Sequence, residues 1–276
     1  MNKNLHEASL RLVGKRRNTR SGEVSLSGIG ALSDAYKVQA QTRLLLAASI
    51  VGWKASLQAN GALLSAPLFD CDTFHSGSKV PFVGRIGHGV ECELAFLIDD
   101  PLPPRPCHGY TKSEVLSHVS GVVPVFEMLE SRLVDGFGSS QAHLVADNLG
   151  NGGVVLGMPM YGGQHRGLAE IGITVNIDRK VILSKRYTHP AGDPVDVLVA
   201  LANHLADRGL VLEAGQFVIT GSYTPAQKVL PGALITASFD GFNPVTLRVA
   251  AEEEPPTLAA AAHIEGASLH RQMPQK

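Results

Sequence analysis

The chain has 276 residues, of which 44% are hydrophobic and 18% are charged, and this composition is typical of a folded domain with a sizeable core. The formal net charge of −1 gives no electrostatic basis for binding nucleic acid or an anionic membrane, so neither is expected as a partner. The three cysteines are odd in number and form no C-x-x-C motif, which argues against a disulfide framework or a zinc site and favours a cytoplasmic protein.

The N-terminal 50 residues are predicted to form an arm followed by a helix packed on the core. Residues 1–32 show no sustained periodicity, and their basic cluster of Lys15, Arg16, Arg17 and Arg20 predicts a solvated arm. Ser33 is a good N-cap for a helix over 34–50. The first twenty residues lack an apolar stretch, and no apolar run reaches the roughly 18 residues of a membrane span, so we expect neither a secretory leader nor a membrane anchor.

Segment 89–98 predicts a strand with two different faces, after strand-like pieces over 51–90. Alternate residues of a strand point to the same side, so Glu91 and Glu93 share one face and the apolar residues share the other. Two neighbouring carboxylates in an apolar strand repel each other and are costly to desolvate, and a hard cation such as Mg²⁺ or Mn²⁺ resolves both problems. The alternative is an exposed face with two solvated glutamates.

The next elements are a helix and a second acidic strand. Thr111 and Glu114 have capping-box spacing and predict a helix that continues to about residue 123. A buried strand is predicted over 124–133, where either Glu127 or Glu130 is able to complete a three-carboxylate site. Simple pairing of Glu127 with Arg132 is the alternative.

The remainder of the chain predicts a β-rich body with few helices. A glycine-rich connection leads into residues 154–156, a hairpin is expected over 172–184, a helix over 194–208, and strands over 212–220 and 233–249. We interpret 51–250 as a catalytic domain and 251–276 as a loose tail. The segment Gly150-Asn151-Gly152-Gly153 lacks the following Lys-Ser/Thr of a phosphate-binding loop.

An ordered set of motifs resembles the fumarylacetoacetate hydrolase superfamily, and within it the 2-keto-4-pentenoate hydratase and 4-oxalocrotonate decarboxylase branch. The strand with Glu91 and Glu93 and the following Asp100-Pro101-Leu102-Pro103 resemble its "E-x-E-x-A-F … D-L-P" signature. Further matches follow in chain order across roughly residues 34–249: Gly52-Trp53-Lys54, Glu127 to Arg132, Ala146-Asp147-Asn148, Leu201-Ala202-Asn203, Ala214-Gly215 and Thr220-Gly221.

The resemblance implies an α+β, β-rich fold, in which mixed sheets form a partly open barrel with an N-terminal helical segment. It also implies a metal-dependent lyase acting on a 2-oxo or 2-hydroxydienoic acid, most directly a 2-hydroxypenta-2,4-dienoate hydratase. A decarboxylase and an acylpyruvate C–C hydrolase are alternatives. A homo-oligomer is expected, with a related pathway enzyme as a further partner.

The resemblance also assigns site residues. Glu91, Glu93 and Glu127 are the implied ligands of Mg²⁺ or Mn²⁺, and Lys54 is the implied proton shuttle, for which we expect a depressed pKa. Substrate contacts are expected from three further positions: Leu57, Asn148 and Thr220.

Two departures from the branch pattern fall at the substrate end. Leu68 stands where the pattern "P-[DE]-x-G" has an acid, and Asp70 or Asp72 is available to substitute; we assign the catalytic role to Asp72. Gly150 replaces the serine of "A-D-N-A-S". These departures keep open a different class of function, a weakly active family member that serves as a partner subunit.

Overall fold

The computed structural model describes residues 3–17, 22–58, 60–82, 84–105 and 108–251. This part of the protein is α+β and rich in strands, with a curled half-barrel sheet and helices at its N-terminal end, which confirms the predicted fold class. The predicted tail lies outside the described residues from 252 onward. Five helices are present in the described ranges: α1 Lys3–Arg17, α2 Leu32–Leu46, α3 Lys112–Ser117, α4 Gln141–Ala146 and α5 Pro194–Asp207.

The strands form two mixed sheets. Their bounds are β1 Ile50–Leu57, β2 Leu63–Phe69, β3 Thr73–His75, β4 Lys79–Val80, β5 Gly89–Ile98, β6 Val119–Leu129, β7 Asn151–Leu156, β8 Met160–Tyr161, β9 Glu170–Ile177, β10 Lys180–Thr188, β11 Phe217–Ile219, β12 Leu234–Phe239 and β13 Val245–Val249. The larger sheet runs β2-β1-β11-β5-β6-β7-β3, with β8 beside β6, and the smaller runs β10-β9-β12-β13-β4.

Strand β5 divides its side chains between two environments, as its alternation predicts. Its apolar face joins the main core with the smaller sheet and α5 through Val90, Cys92, Leu94, Phe96 and Ile98. Its other face carries Glu91, Glu93 and Ala95, and we call this side the inner face of the larger sheet. Ala95 belongs there to a second apolar cluster, the inner cluster, formed by Leu68, Ala95, Val123, Val125, Val154, Phe217 and Ile219.

The N-terminal helices cover one end of the inner face. Leu12 of α1, Val38 of α2 and Val145 of α4 share an apolar cluster with Ala66 of β2. Ala66 lies directly opposite Lys54 in the β1–β2 pair, and directly paired residues project to the same side of a sheet. These helices therefore pack against the part of the larger sheet that carries Lys54.

The prediction of an arm without regular structure is wrong, and the prediction of solvation is wrong for Arg16, whereas Arg17 is exposed. Lys15, Arg16 and Arg17 end helix α1, and the Arg16 side chain is only 8% exposed because it pairs with Asp72 at 3.0 Å. The basic residues drew attention away from the apolar residues of an amphipathic helix. Its buried side includes Leu5, Ala8 and Leu12. Arg20 lies outside the described residues.

Two helix boundaries differ from expectation. Helix α2 begins after Ala31 rather than at Ser33, and it ends where Ala47 adopts the left-handed conformation. The capping box of Thr111 and Glu114 is present, but α3 ends at Ser117. The β-branched residues that follow instead pair with β5 as the start of β6.

The C-terminal half follows the sequence prediction closely. Strands β9 and β10 form the expected hairpin, turning at Asp178 and Arg179 with positive φ, and α5 is capped by Asp193 and followed by Gly209. The predicted strand over 233–249 is two strands, β12 and β13, joined by a turn. None of the described helices is long and apolar enough to cross a membrane.

Candidate metal centre

Strand pairing gathers three carboxylates on the inner face. Glu91 of β5 lies directly opposite Glu127 of β6, and Glu93 follows two residues later on the same side. One carboxylate oxygen from each residue lies within 4.8 Å of the others. The sheet thus holds the three predicted metal ligands together, although they are separated in sequence by up to 36 residues.

Two of the three carboxylates are buried, and Glu91 is partly buried. Glu93 is 1% exposed and Glu127 is fully buried, so the alternative of an exposed acidic strand face is wrong. Glu93 Oε2 accepts a hydrogen bond from the Gly221 amide at 3.0 Å. Glu127 Oε1 accepts from Asn151 Nδ2 at 2.8 Å and pairs with Lys54 Nζ at 2.8 Å. Glu127 Oε2 has no hydrogen-bond partner.

Crowding changes the acidity of this group. Burial, reinforced by the charge of Glu127, raises the pKa of Glu91 to about 7. The same causes, with Glu91 as an additional neighbour, raise the pKa of Glu93 well above its usual value. Glu91 and Glu93 therefore resist ionising while the neighbouring acids are charged, and the cluster lacks positive charge.

Lys54 supplies one positive charge, and its predicted depressed pKa depends on a cation that neutralises the neighbouring carboxylates. Burial alone would lower the pKa of Lys54, yet the charges of Glu127 and Glu93 and the hydrogen bond to Glu127 outweigh burial and raise it. The ammonium also donates to the Leu149 carbonyl at 3.3 Å.

The residues present suit a hard divalent cation. All the donors are carboxylate oxygens, the ligand type that Mg²⁺ and Mn²⁺ prefer. A buried acceptor oxygen without a partner, Glu127 Oε2, is costly unless a positive group satisfies it. Three clustered carboxylates balanced by a single lysine leave room for two further positive charges.

The competing interpretations of the β6 acids are resolved by their contacts. Glu130 accepts a hydrogen bond from the Gly87 amide at 2.7 Å and is not in the carboxylate group. Arg132 pairs with Asp147 at 3.2 Å rather than with Glu127. Glu127 is therefore the third acid of the cluster.

Asp72 is held in a different environment from the one its predicted catalytic role requires. One carboxylate oxygen pairs with Arg16 at 3.0 Å and the other with Arg85. Burial would raise the pKa of Asp72, but these two guanidinium groups outweigh burial and lower it. A carboxylate bound in this way is a poor proton acceptor, and its contacts favour a structural role.

Two of the three predicted substrate residues carry unsatisfied polar atoms. Asn148 donates to the Pro67 carbonyl at 2.9 Å, while its buried Oδ1 has no hydrogen-bond partner. Thr220 Oγ1 is likewise buried without a hydrogen-bond partner, and Thr220 immediately precedes Gly221, whose amide binds Glu93. Leu57 lies three residues after Lys54, so strand alternation places it on the opposite face of β1. Substrate contact remains a prediction for all three residues.

The two departures from the family pattern have structural consequences. Leu68 packs in the inner cluster, so this position offers no proton. Gly150 adopts φ +68°, and a β-carbon there would overlap the Phe137 ring, so the expected serine would strain the backbone and displace this ring. Asn151, whose amide holds Glu127, was missed; the available signal was a lone polar side chain between glycines at the start of a buried strand.

The comparisons with known proteins agree with this fold. Residues 46–250 match the family model for fumarylacetoacetate (FAA) hydrolase, C-terminal. The chain is similar to 4-oxalocrotonate decarboxylase from Pseudomonas sp. (strain CF600), with 28% identity over 227 residues, 78% of this chain and 84% of the relative. It is also similar to 2-keto-4-pentenoate hydratase from Paraburkholderia xenovorans (strain LB400), with 27% identity over 226 residues, 78% and 82% of the respective chains.

One solved structure extends the likeness over almost the whole fold. The structure of 4-oxalocrotonate decarboxylase from Pseudomonas putida G7, complexed with magnesium and adipate, superposes with a TM-score of 0.77 and 24% sequence identity. The alignment covers 90% of this chain and 98% of that chain. It includes regions beyond the family model, and at this identity it supports the fold.

We expect Mn²⁺ binding to strengthen as the pH rises from about 6 to about 8. Glu91, with a pKa of about 7, and the still less acidic Glu93 must lose protons before they bind a cation. The same raised pKa values mean that the metal-free protein loses stability as the pH rises above the usual glutamate value, since its native state holds the extra protons. Isothermal titration calorimetry in two buffers of different ionisation enthalpy measures both the affinity and the protons released.

A matched pair of variants controls this experiment. Glu93→Gln should weaken Mn²⁺ binding by about tenfold or more, whereas Glu130→Gln, which changes an acid outside the cluster, should bind like the parent protein. Equal effects of the two substitutions, or binding that does not depend on pH, would contradict the assignment of this site.

Asp72→Asn should lower the free energy of unfolding by about 3 kcal/mol, because it leaves Arg16 and Arg85 without their shared carboxylate in a buried setting. Urea denaturation measures the loss, with the exposed Asp135→Asn as control. Unchanged stability combined with a large fall in turnover would restore the catalytic role predicted from the sequence.

Proposed function

The chain belongs to the fumarylacetoacetate hydrolase family, and we propose that it is a metal-dependent lyase acting on a 2-oxo or 2-hydroxydienoic acid. Within that class the proposal is a hydratase of the 2-keto-4-pentenoate type, acting on 2-hydroxypenta-2,4-dienoate. The observation that carries it is the cluster of Glu91, Glu93 and Glu127, which has a lysine on one side and an unpartnered carboxylate oxygen on the other.

Glu91, Glu93 and Glu127 are the residues proposed to hold Mg²⁺ or Mn²⁺. A bound divalent ion supplies positive charge for the carboxylate and 2-oxo oxygens of the acid and for the enolate formed from it. Support comes from the carboxylate donor set and from the magnesium complex of the structurally similar decarboxylase.

Lys54 is proposed to carry the proton that C3 of the acid gains or loses. Its Nζ lies 2.8 Å from Glu127 and its side chain is 14% exposed, so the proton it holds is shielded from bulk water. Neutralising the carboxylates removes the charges that raise the pKa of Lys54, and burial then favours the neutral amine. A lysine poised between these two states suits general acid–base catalysis.

Decarboxylation of a 4-oxalocrotonate-type acid is the nearest alternative, because both activities occur among relatives of similar identity. Acylpyruvate C–C hydrolysis is a third use of the same enolate chemistry. The alternative from another class, a weakly active partner subunit, is favoured by the apolar Leu68, which leaves Lys54 without the second proton-transfer acid of the family pattern.

The assembly and location are part of the proposal. A homo-oligomer is proposed, and association with a related pathway enzyme is proposed as its extension. A cytoplasmic location is supported by the free thiols of Cys71 and Cys92. The division into an N-terminal segment 1–50, a catalytic domain 51–250 and a tail 251–276 is likewise proposed.

Lys54→Met should reduce turnover of 2-hydroxypenta-2,4-dienoate by roughly 100-fold or more, because the proton carrier is lost. Mn²⁺ binding should persist, since the substitution frees Glu127 Oε1 without removing a carboxylate. Loss of diene absorbance measures turnover, and Lys37→Met, at an exposed lysine, is the control.

The same assay with 4-oxalocrotonate distinguishes the reactions. If the protein releases carbon dioxide from 4-oxalocrotonate faster than it consumes 2-hydroxypenta-2,4-dienoate, the decarboxylase alternative is favoured. If metal binds and both substrates are inert, the hydratase proposal is overturned in favour of a changed substrate or a partner role.

A further inference from the structure

Phe137 lies beside the chain segment that contacts both Lys54 and Glu127. Its ring packs on Gly150 so closely that a β-carbon at that position would overlap it. The residue before Gly150 accepts the hydrogen bond from Lys54, and the residue after it, Asn151, donates to Glu127. The ring therefore packs on the residue between Leu149, which contacts Lys54, and Asn151, which contacts Glu127.

A second contact places the same ring at the approach to Glu91. The His88 ring meets Phe137 edge-on, with a centroid distance of 5.1 Å, and His88 immediately precedes strand β5. Phe137 thus spans the gap between the start of the Glu91 strand and the Gly150 segment. It remains 42% exposed, so it presents apolar surface to solvent beside Gly150 and His88.

Four cations of the described residues that are buried or partly buried already have acidic partners. Arg132 pairs with Asp147, Arg16 and Arg85 share Asp72, and Lys54 pairs with Glu127. Three carboxylates, one ammonium and one divalent ion sum to zero charge. One substrate carboxylate makes the site anionic. Arg16 and Arg85 together carry one positive charge more than Asp72 offsets, but both guanidinium groups bind Asp72 rather than the cluster of Glu91, Glu93 and Glu127.

We propose that Phe137 determines substrate specificity and favours a 2-oxo acid whose far end is uncharged over one that ends in a second carboxylate. The inference rests on the proposed function and deepens it. An apolar far end gains contact with the exposed ring, whereas a carboxylate placed there loses water without gaining a partner. The preference distinguishes a five- or six-carbon monoacid from a diacid of equal length.

The test compares 2-oxohexanoate with 2-oxohexanedioate, which differ only in the far-end carboxylate, by calorimetric titration into Mn²⁺-saturated protein. We expect the parent protein to bind the monoacid about tenfold more tightly. Phe137→Lys, which places a cation at this position, should reduce this ratio by about tenfold, and Phe137→Leu should preserve it. Circular dichroism establishes that each variant is folded.

Tyr161→Lys is the control, because it introduces the same charge at a 73% exposed aromatic position paired with Gly121, at the opposite end of β6 from Glu127. It should leave the ratio unchanged. A parent ratio near one, a preference for the diacid, or equal responses to the two lysine substitutions would overturn the role of Phe137. Binding of neither acid to the metal-loaded protein would overturn the proposed function itself, and with it this inference.

Discussion

The mutual repulsion of three clustered carboxylates, two of them buried and one partly buried, is the constraint on which the account of this protein depends. Glu91, Glu93 and Glu127 share the inner face of a sheet, where water screens their charges poorly, and Lys54 is the cation of the described residues that pairs with them. Such an arrangement of acids destabilises the fold when no cation is bound, and a bound cation removes the repulsion. The raised pKa values of Glu91 and Glu93 express the same imbalance.

The larger sheet maintains this arrangement through its register. Glu91 faces Glu127 across β5 and β6, and a slip of one residue would turn Glu127 to the opposite face. The supporting contacts come from outside these strands. Asn151 fixes one oxygen of Glu127, the Gly221 amide fixes Glu93, and the N-terminal helices cover the part of the sheet that carries Lys54.

Local sequence patterns predicted the features that depend on local structure. Period-two alternation placed Glu91 and Glu93 on one face, and the capping box located the start of α3. The family motifs singled out Glu127 and Lys54, which the fold brings together. Long-range contacts were not predictable in this way: the pairing of Arg16 with Asp72 joins residues 56 apart, and the pKa of Lys54 depends on acids from two other strands. Phe137 was missed because only the close approach of Gly150 reveals its position.

The most direct test of the central claim is anomalous diffraction from crystals soaked with Mn²⁺ and oxalate. The account predicts a single strong peak on the inner face, about 2.0–2.2 Å from one oxygen each of Glu91, Glu93 and Glu127, with oxalate bound to the same ion. A fully occupied ion elsewhere, or no peak among these carboxylates at saturating Mn²⁺, would contradict it.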